Sequence, residues 1–256
     1  MKKKFFGANL KQNMLPDSLI PDYPDMKDKE DRELVVFVSP FFLNNTYLQS
    51  AANLNGFSIG SQDISEYSGG SYTAEAPSPS WFKQAKITDS LVGHSEQRKH
   101  YETLGTNPKK INDLFNRKIT NALNHGIRVT YCVGETEAER ARGATENVLE
   151  EQIIRGLNNI TPTDPNQLII AYEPRWVIGT DKIPTRDEIW MAHKIVREKV
   201  AHNFGYQDLS KVIVIYGGNM NPENAGELLT IPGVDGGLIG RSSLDGGKLT
   251  EIINAV

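Results

Sequence analysis

Short runs of apolar, often β-branched residues recur along the chain, separated by longer stretches whose apolar residues fall every three or four positions. Eight such runs stand out: Lys4 to Ala8, Leu34 to Val38, Phe57 to Ser61, Thr88 to Gly93, Arg128 to Val133, Leu168 to Tyr172, Val212 to Tyr216 and Gly237 to Gly240. Several are apolar without interruption, as strands covered on both faces are. Their alternation with segments of helical period predicts βαβ units and parallel strands. Helix starts are marked by Asn107-Pro108 and Asn221-Pro222, each a capping residue before a proline at the first helical position. Thr185 with Glu188 reads as a capping box ahead of the stripe Ile189, Ala192, Val196 and Val200, and Leu149, Ile153 and Leu157 form a similar stripe. The exception is the stretch from Asn13 to Glu33, where Pro16, Pro21 and Pro24 stand in place of a first return helix. Its tail, Asp25 to Glu33, is a mixed-sign charge run and reads as a solvated connection. Eight strands with helical returns predict a closed (β/α)8 barrel, while periodicity alone also allows an open doubly wound sheet.

Composition narrows the classes. At 256 residues, 38% hydrophobic and 23% charged, the chain is neither disordered nor fibrous. α/β barrels of about 250 residues form one domain, and no linker divides this sequence, so one domain over residues 1–256 is expected. A net charge of −4 offers no global attraction for nucleic acid or an anionic membrane, so neither is expected as a partner. The single cysteine, Cys132, excludes an intrachain disulfide. No apolar run has the length of a membrane span, and Met1 to Phe6 leads into Gly7, Asn9 and Lys11 rather than a signal-peptide core. The expected location is the cytoplasm.

In either architecture the active face lies beyond the carboxyl ends of the strands. The residues there are polar: Asn9 and Lys11 after the first run, His94-Ser95-Glu96 after the fourth, Gly134-Glu135 after the fifth and Glu173-Pro174 after the sixth. The seventh ends in Gly217-Gly218-Asn219 and the eighth in Gly240-Arg241-Ser242-Ser243. Glycines before a helix start let backbone N–H groups approach an anion, and phosphate fits them. Singly, each has a plainer reading: Lys11 as a solvated lysine, His94 as a structural histidine, Glu173 as a capping or pairing carboxylate, Gly-Gly as a turn, Cys132 as a buried small hydrophobe. No His-x3-His or Cys-x2-Cys spacing marks a metal site, and no cofactor is expected. Together, an ammonium, an imidazole, a carboxylate and an anion-binding backbone suit proton abstraction beside the carbonyl of a phosphorylated substrate. The segment Pro174 to Lys182 (Pro174, Arg175, Trp176, Val177, Ile178, Gly179, Thr180, Asp181, Lys182) reads as a lid, anchored by Trp176 and turning at Gly179.

These strings, in this order, resemble the triosephosphate isomerase family over nearly the whole chain. They are Asn9-Leu10-Lys11, Val92-Gly93-His94-Ser95-Glu96, Cys132-Val133-Gly134-Glu135, Ala171-Tyr172-Glu173-Pro174, Trp176 with Ile178-Gly179-Thr180, Tyr216-Gly217-Gly218 and Asn221-Pro222-Glu223-Asn224. The resemblance implies a single (β/α)8 barrel, a homodimer in which the loop Gly70 to Glu75 reaches the partner, and a small phosphorylated sugar as substrate. It implies Glu173 as general base, His94 as neutral electrophile, Lys11 as the cation for phosphate and enediolate, and Asn9 as a donor to a substrate oxygen. Ser95 would hold Glu173 in the open state, Glu96 would pair with Lys11, and Gly179, Asn219, Gly240 and Arg241 would meet the phosphate. A helix beginning at Ser95 would disfavour imidazolium at His94.

The chain departs from the family's pattern at Leu10 and Gln12 beside the lysine, at Arg175 in the first lid hinge, and at Asp181, Asn219 and Arg241, with Ala74 in the intersubunit loop. Asp181 and Asn219 match positions that touch on lid closure. An arginine at 241, where the family has glycine, would be strained if the backbone there were left-handed. Three readings follow: interconversion of dihydroxyacetone phosphate and D-glyceraldehyde 3-phosphate through an enediol(ate), isomerisation of a longer ketose phosphate such as a tetrulose phosphate, and a non-catalytic sugar-phosphate-binding barrel.

Overall fold

The computed structural model describes residues 3–73, 76–180 and 182–255; Ala74, Glu75 and Asp181, to which the sequence assigns places in the intersubunit loop and the lid, lie outside them. Eight parallel strands close into a barrel, each paired with the next and the eighth with the first. They are β1 (Lys4–Asn9), β2 (Arg32–Val38), β3 (Ser58–Ser61), β4 (Asp89–Val92), β5 (Arg128–Val133), β6 (Leu168–Tyr172), β7 (Ile213–Tyr216) and β8 (Gly236–Ile239). Closure settles the open-sheet alternative. All eight runs are strands, with ends shifted by one or two residues: Phe57, Thr88, Gly93, Val212 and Gly240 fall outside. Gly93 turns out of β4 at φ 77°, and Gly240 is freed to begin the last loop.

Alternate strand residues separate two cores. Phe5, Val35, Phe37, Leu91, Cys132, Ile169, Ala171, Ile215 and Leu238 pack together as one cluster, whereas Phe6, Leu34, Val36, Val92, Tyr131, Ile170 and Val214 belong to the cluster formed with the helices. Strands buried on both faces therefore show no alternation in sequence, though they have it in space. The lumen is tight. A Cβ on Gly60 would lie 2.4 Å from the Phe37 ring, so the glycine makes room for that side chain.

The surrounding helices are α1 (Thr46–Asn55), α2 (Pro79–Ala85), α3 (Ser95–Thr103), α4 (Pro108–Asn124), α5 (Glu137–Ala141), α6 (Thr145–Gly156), α7 (Arg186–Phe204), α8 (Pro222–Leu229) and α9 (Gly246–Ile253). Asn107 caps α4 by accepting from Lys109 N, and capping boxes start α7 (Thr185, Glu188) and α8 (Asn221, Asn224). The first return holds only a 3-10 turn, Asp17–Leu19, as the prolines require. It is nevertheless packed: Leu19, Tyr23 and Met26 are buried, Asn55 Nδ2 donates to the carbonyls of Leu19 and Ile20, and the Tyr23 hydroxyl donates to the Ser243 carbonyl. The charge run is also not wholly a connection, since Arg32 and Glu33 open β2, where Glu33 pairs with Arg128. Among the described residues no helix is long and apolar enough to cross a membrane.

Candidate active site

Beyond the carboxyl ends of the strands lies a cleft of about 920 Å³, lined among others by Asn9, Lys11, His94, Glu173, Asn219 and Arg241. Five separate strand ends, those of β1, β4, β6, β7 and β8, thus deliver these residues. Lys11 stands in left-handed backbone at φ 52°, a conformation that costs a non-glycine residue about 1 kcal/mol or more. Neighbours hold it there: Asn9 Oδ1 accepts from Lys11 N at 3.0 Å, and Gln62 Nε2 donates to Lys11 O at 2.7 Å. The ammonium meets Glu96 Oε1 at 2.5 Å. With its oxygen so engaged, Asn9 presents Nδ2 as a donor.

His94 caps α3, its Nδ1 accepting from Glu96 N at 3.3 Å, and its Nε2 lies 3.0 Å from Glu173 Oε1. Glu173 Oε2 accepts from Ser95 N at 2.9 Å. The contact expected of Ser95 is therefore made by its backbone, and its buried hydroxyl finds no partner among the described residues. Burial pushes the Glu173 carboxyl up, but the imidazole, its hydrogen bond and the Ser95 N–H outweigh it and hold the carboxyl below the ordinary glutamate value. Burial opposes imidazolium at His94, yet Glu173 and Glu96 carry the net direction upward with the carboxylate in this position. An Nδ1 that accepts an N–H must be unprotonated, which favours the neutral ring carrying its proton on Nε2. The two influences oppose each other.

Two glycines set Glu173 in place. A Cβ on Gly134 would come within 1.8 Å of the Glu173 carbonyl, and one on Gly217 within 2.7 Å of Glu173 Cγ. One further residue, Gln62, escaped the sequence reading. Gln62 follows β3 directly, a strand end whose uncharged residue drew no notice. Cys132 lies beside the Glu173 carboxylate, which together with burial pushes the thiol well up; it packs as a small neutral group, consistent with the reading of Cys132 as a buried hydrophobe.

The segment expected as the lid lines the other side of the cleft with Trp176, Ile178, Gly179 and Thr180. Trp176 Nε1 donates to Glu135 Oε1 at 2.9 Å, the Tyr172 hydroxyl donates to the same carboxylate at 3.1 Å, and the Arg140 guanidinium lies 4.1 Å from the indole centroid. Gly179 takes φ 76° where the lid turns. Asn219 Nδ2 lies 3.1, 2.7 and 3.2 Å from the carbonyls of Val177, Thr180 and Lys182. The Asn219 amide is thus engaged by the carbonyls of the segment that the sequence reads as a lid. Arg241 opens the 3-10 turn Arg241–Leu244 and is exposed; no ion-pair partner is found for it among the described residues. It is not left-handed, which removes the strain expected of a residue replacing glycine there.

The profile of the triosephosphate isomerase family matches residues 4–256. A protein of Leptospira biflexa named triosephosphate isomerase is 37% identical over 248 residues, 95% of this chain and 96% of its own. One of Chloroherpeton thalassium with the same name is 31% identical over 258 residues, 100% of this chain and 99% of its own. One of Fusobacterium nucleatum, also so named, is 38% identical over 186 residues, 73% of this chain and 71% of its own. The chain belongs to the triosephosphate isomerase family and is an isomerase.

Proposed function

We propose that the chain interconverts dihydroxyacetone phosphate and D-glyceraldehyde 3-phosphate without a cofactor. The observation that supports this most is the placing of Glu173, His94 and Lys11 in one cleft whose far side carries Gly179, Asn219, Gly240 and Arg241. The phosphate rests against that side, next to Lys11. The Glu173 carboxylate takes a proton from the carbon beside the carbonyl, while His94 Nε2–H donates to the carbonyl oxygen. The enediolate forms as the carbon–hydrogen electron pair moves into the carbon–carbon bond, and Lys11 and Asn9 offset its charge. His94 gives its Nε2 proton to the former carbonyl oxygen and takes up the hydroxyl proton of the first carbon, whose oxygen becomes the new carbonyl as the new carboxylic acid returns its proton to the neighbouring carbon, so that no electron leaves the substrate. Glu96 holds Lys11, and Ser95 N holds Glu173 away from the ring of substrate contacts until the lid shuts.

The unpaired Arg241 in the cleft favours one second reading, a longer ketose phosphate such as a tetrulose phosphate, handled by the same steps. The working form is proposed to be a homodimer of one-domain chains, in the cytoplasm. A hollow of about 1240 Å³ beside the cleft is lined by Lys11 and His94 and also by Phe41, Tyr72 and Trp81, which are 95%, 62% and 60% exposed. Aromatic surface of that extent next to a site fits burial against a second copy.

The test is proton exchange in deuterated water. The parent is expected to exchange the proton beside the carbonyl with triose phosphate, and Glu173→Gln to lose at least about a hundredfold in kcat, the low end for general-base catalysis. Near-parental kcat in Glu173→Gln sinks the base assignment; faster exchange with a tetrulose phosphate moves the conclusion to the second reading.

A further inference from the structure

Arg175, at the first lid hinge, holds Glu102 with both arms of its guanidinium: Nη1 reaches Oε1 at 2.8 Å and Nη2 reaches Oε2 at 2.6 Å. The arginine side chain is 11% exposed and the glutamate 35%, so the fork is shielded on one side. Arg175 N also donates to Glu135 O at 3.0 Å, which fixes the residue through backbone and side chain alike. Glu102 lies in the last turn of α3. A carboxylate is unfavourable at that end of a helix and a cation favourable, so the glutamate gains from having its arginine. The same helix begins at Ser95, whose N–H holds the Glu173 carboxylate. Between Glu173 and Arg175 stands only Pro174, which restricts both its own backbone and that of the glutamate before it.

We propose that Arg175 and Glu102 are positioning residues for the base: by pinning the first lid hinge to the helix that holds Glu173, the pair ties the aim of the carboxylate to the movement of the lid. The proposal rests on Glu173 being the base. One end of α3 grips the carboxylate and the other grips the hinge, so the chain from 173 to 175 is stretched across a single rigid element. Neither residue touches a reacting atom. The planar fork matters as well as the charge, because a lysine would meet the carboxylate at one point only.

The experiment compares Arg175→Met, Glu102→Gln, the double variant and Arg175→Lys in a background with Trp81 and Trp190 replaced by phenylalanine. Readouts are kcat and KM with triose phosphate, the pH dependence of kcat/KM, and Trp176 fluorescence with 2-phosphoglycolate as enediolate mimic. The expected result is a fall of about fivefold to fiftyfold in kcat for each neutralising variant, as a misplacement well under 1 Å produces, with KM moved less than about twofold. The double variant should be no worse than the worse single, because the pair acts as a unit, and Arg175→Lys should recover part of the loss. A base that drifts from the Ser95 N–H and His94 loses the donors that keep its carboxyl low, so the acid limb of kcat/KM should move to higher pH. A merely stabilising ion pair would lower the melting temperature and leave that limb in place. Parental kcat and an unmoved acid limb in Glu102→Gln and the double variant, or losses that multiply, overturn the proposal. If Glu173→Gln is also fully active, it is the reading of the base that has failed instead.

Discussion

Arg241 brings a permanent charge to a cleft in which Lys11 is already paired with Glu96 and Arg175 with Glu102. An unpaired guanidinium beside a phosphate site adds a charge-assisted contact when the anion arrives. Arg241→Gly is therefore expected to weaken competitive inhibition by inorganic phosphate several-fold, to reduce its dependence on ionic strength, and to change the ratio of kcat/KM for triose and tetrulose phosphates. Inhibition constants at low and high salt check this, and an unchanged constant with an unchanged substrate ratio returns Arg241 to the solvent. Lys11, His94 and Glu173 were legible in the sequence because each is a chemically marked residue within three positions of the end of an apolar run. Gln62 was not, since an amide at a strand end carries no comparable mark. Cys132 sits in a strand buried on both faces, where the period does not say which face meets the lumen. The fork between Arg175 and Glu102 joins positions 73 residues apart and required the folded chain.

Among the elements, α7 carries a histidine at its buried face. His193 Nδ1 lies 3.1 Å from the Gly233 carbonyl, its Nε2 finds no partner among the described residues, and its ring lies against Tyr172 and Tyr216. Burial lowers its pKa from 6.5 to about 4, opposed by the Gly233 carbonyl and by Asp235, and aided by Arg197 and Lys4. The folded value lies below the unfolded one, so the unfolded chain binds a proton first as pH falls. The stability contribution is present above pH 6.5 and is lost progressively between pH 6.5 and 4. Between pH 7 and pH 5 the parent should lose about 2 kcal/mol that His193→Gln does not. Urea unfolding at fixed protein concentration measures it; equal losses in both proteins would show that the histidine is not the source. α7 itself was legible from Thr185, Glu188 and the stripe after them. The first return was legible only as the lack of a helix, because Leu19, Tyr23 and Met26 find their burial against residues far along the chain.

For the whole molecule, the aromatic patch beside the cleft decides the prediction. Phe41, Tyr72 and Trp81 are exposed in the single chain, and burying each aromatic side chain is worth about 1.5–3 kcal/mol. Sedimentation velocity is expected to give a species of twice 28.5 kDa. Phe41→Glu with Tyr72→Glu should weaken association by at least about tenfold, with a loss of kcat because Lys11 and His94 line the same hollow. A parent that sediments as one chain at assay concentration and is fully active there would remove the dimer from the mechanism. The barrel itself was the most legible part, since eight apolar runs at βαβ spacing leave few ways to cover both faces. The fit of glycine 134 against the Glu173 carbonyl has an evolutionary consequence. No side chain can enter at 134 without displacing Glu173, and 217 is nearly as constrained, so variation that redirects the enzyme toward new substrates is barred from the junction of β5, β6 and β7. It is channelled instead to loop positions such as 175, 219 and 241, where substitution changes what enters the cleft and how the lid shuts over it. The protein's room for invention lies where its chain already differs from the family pattern.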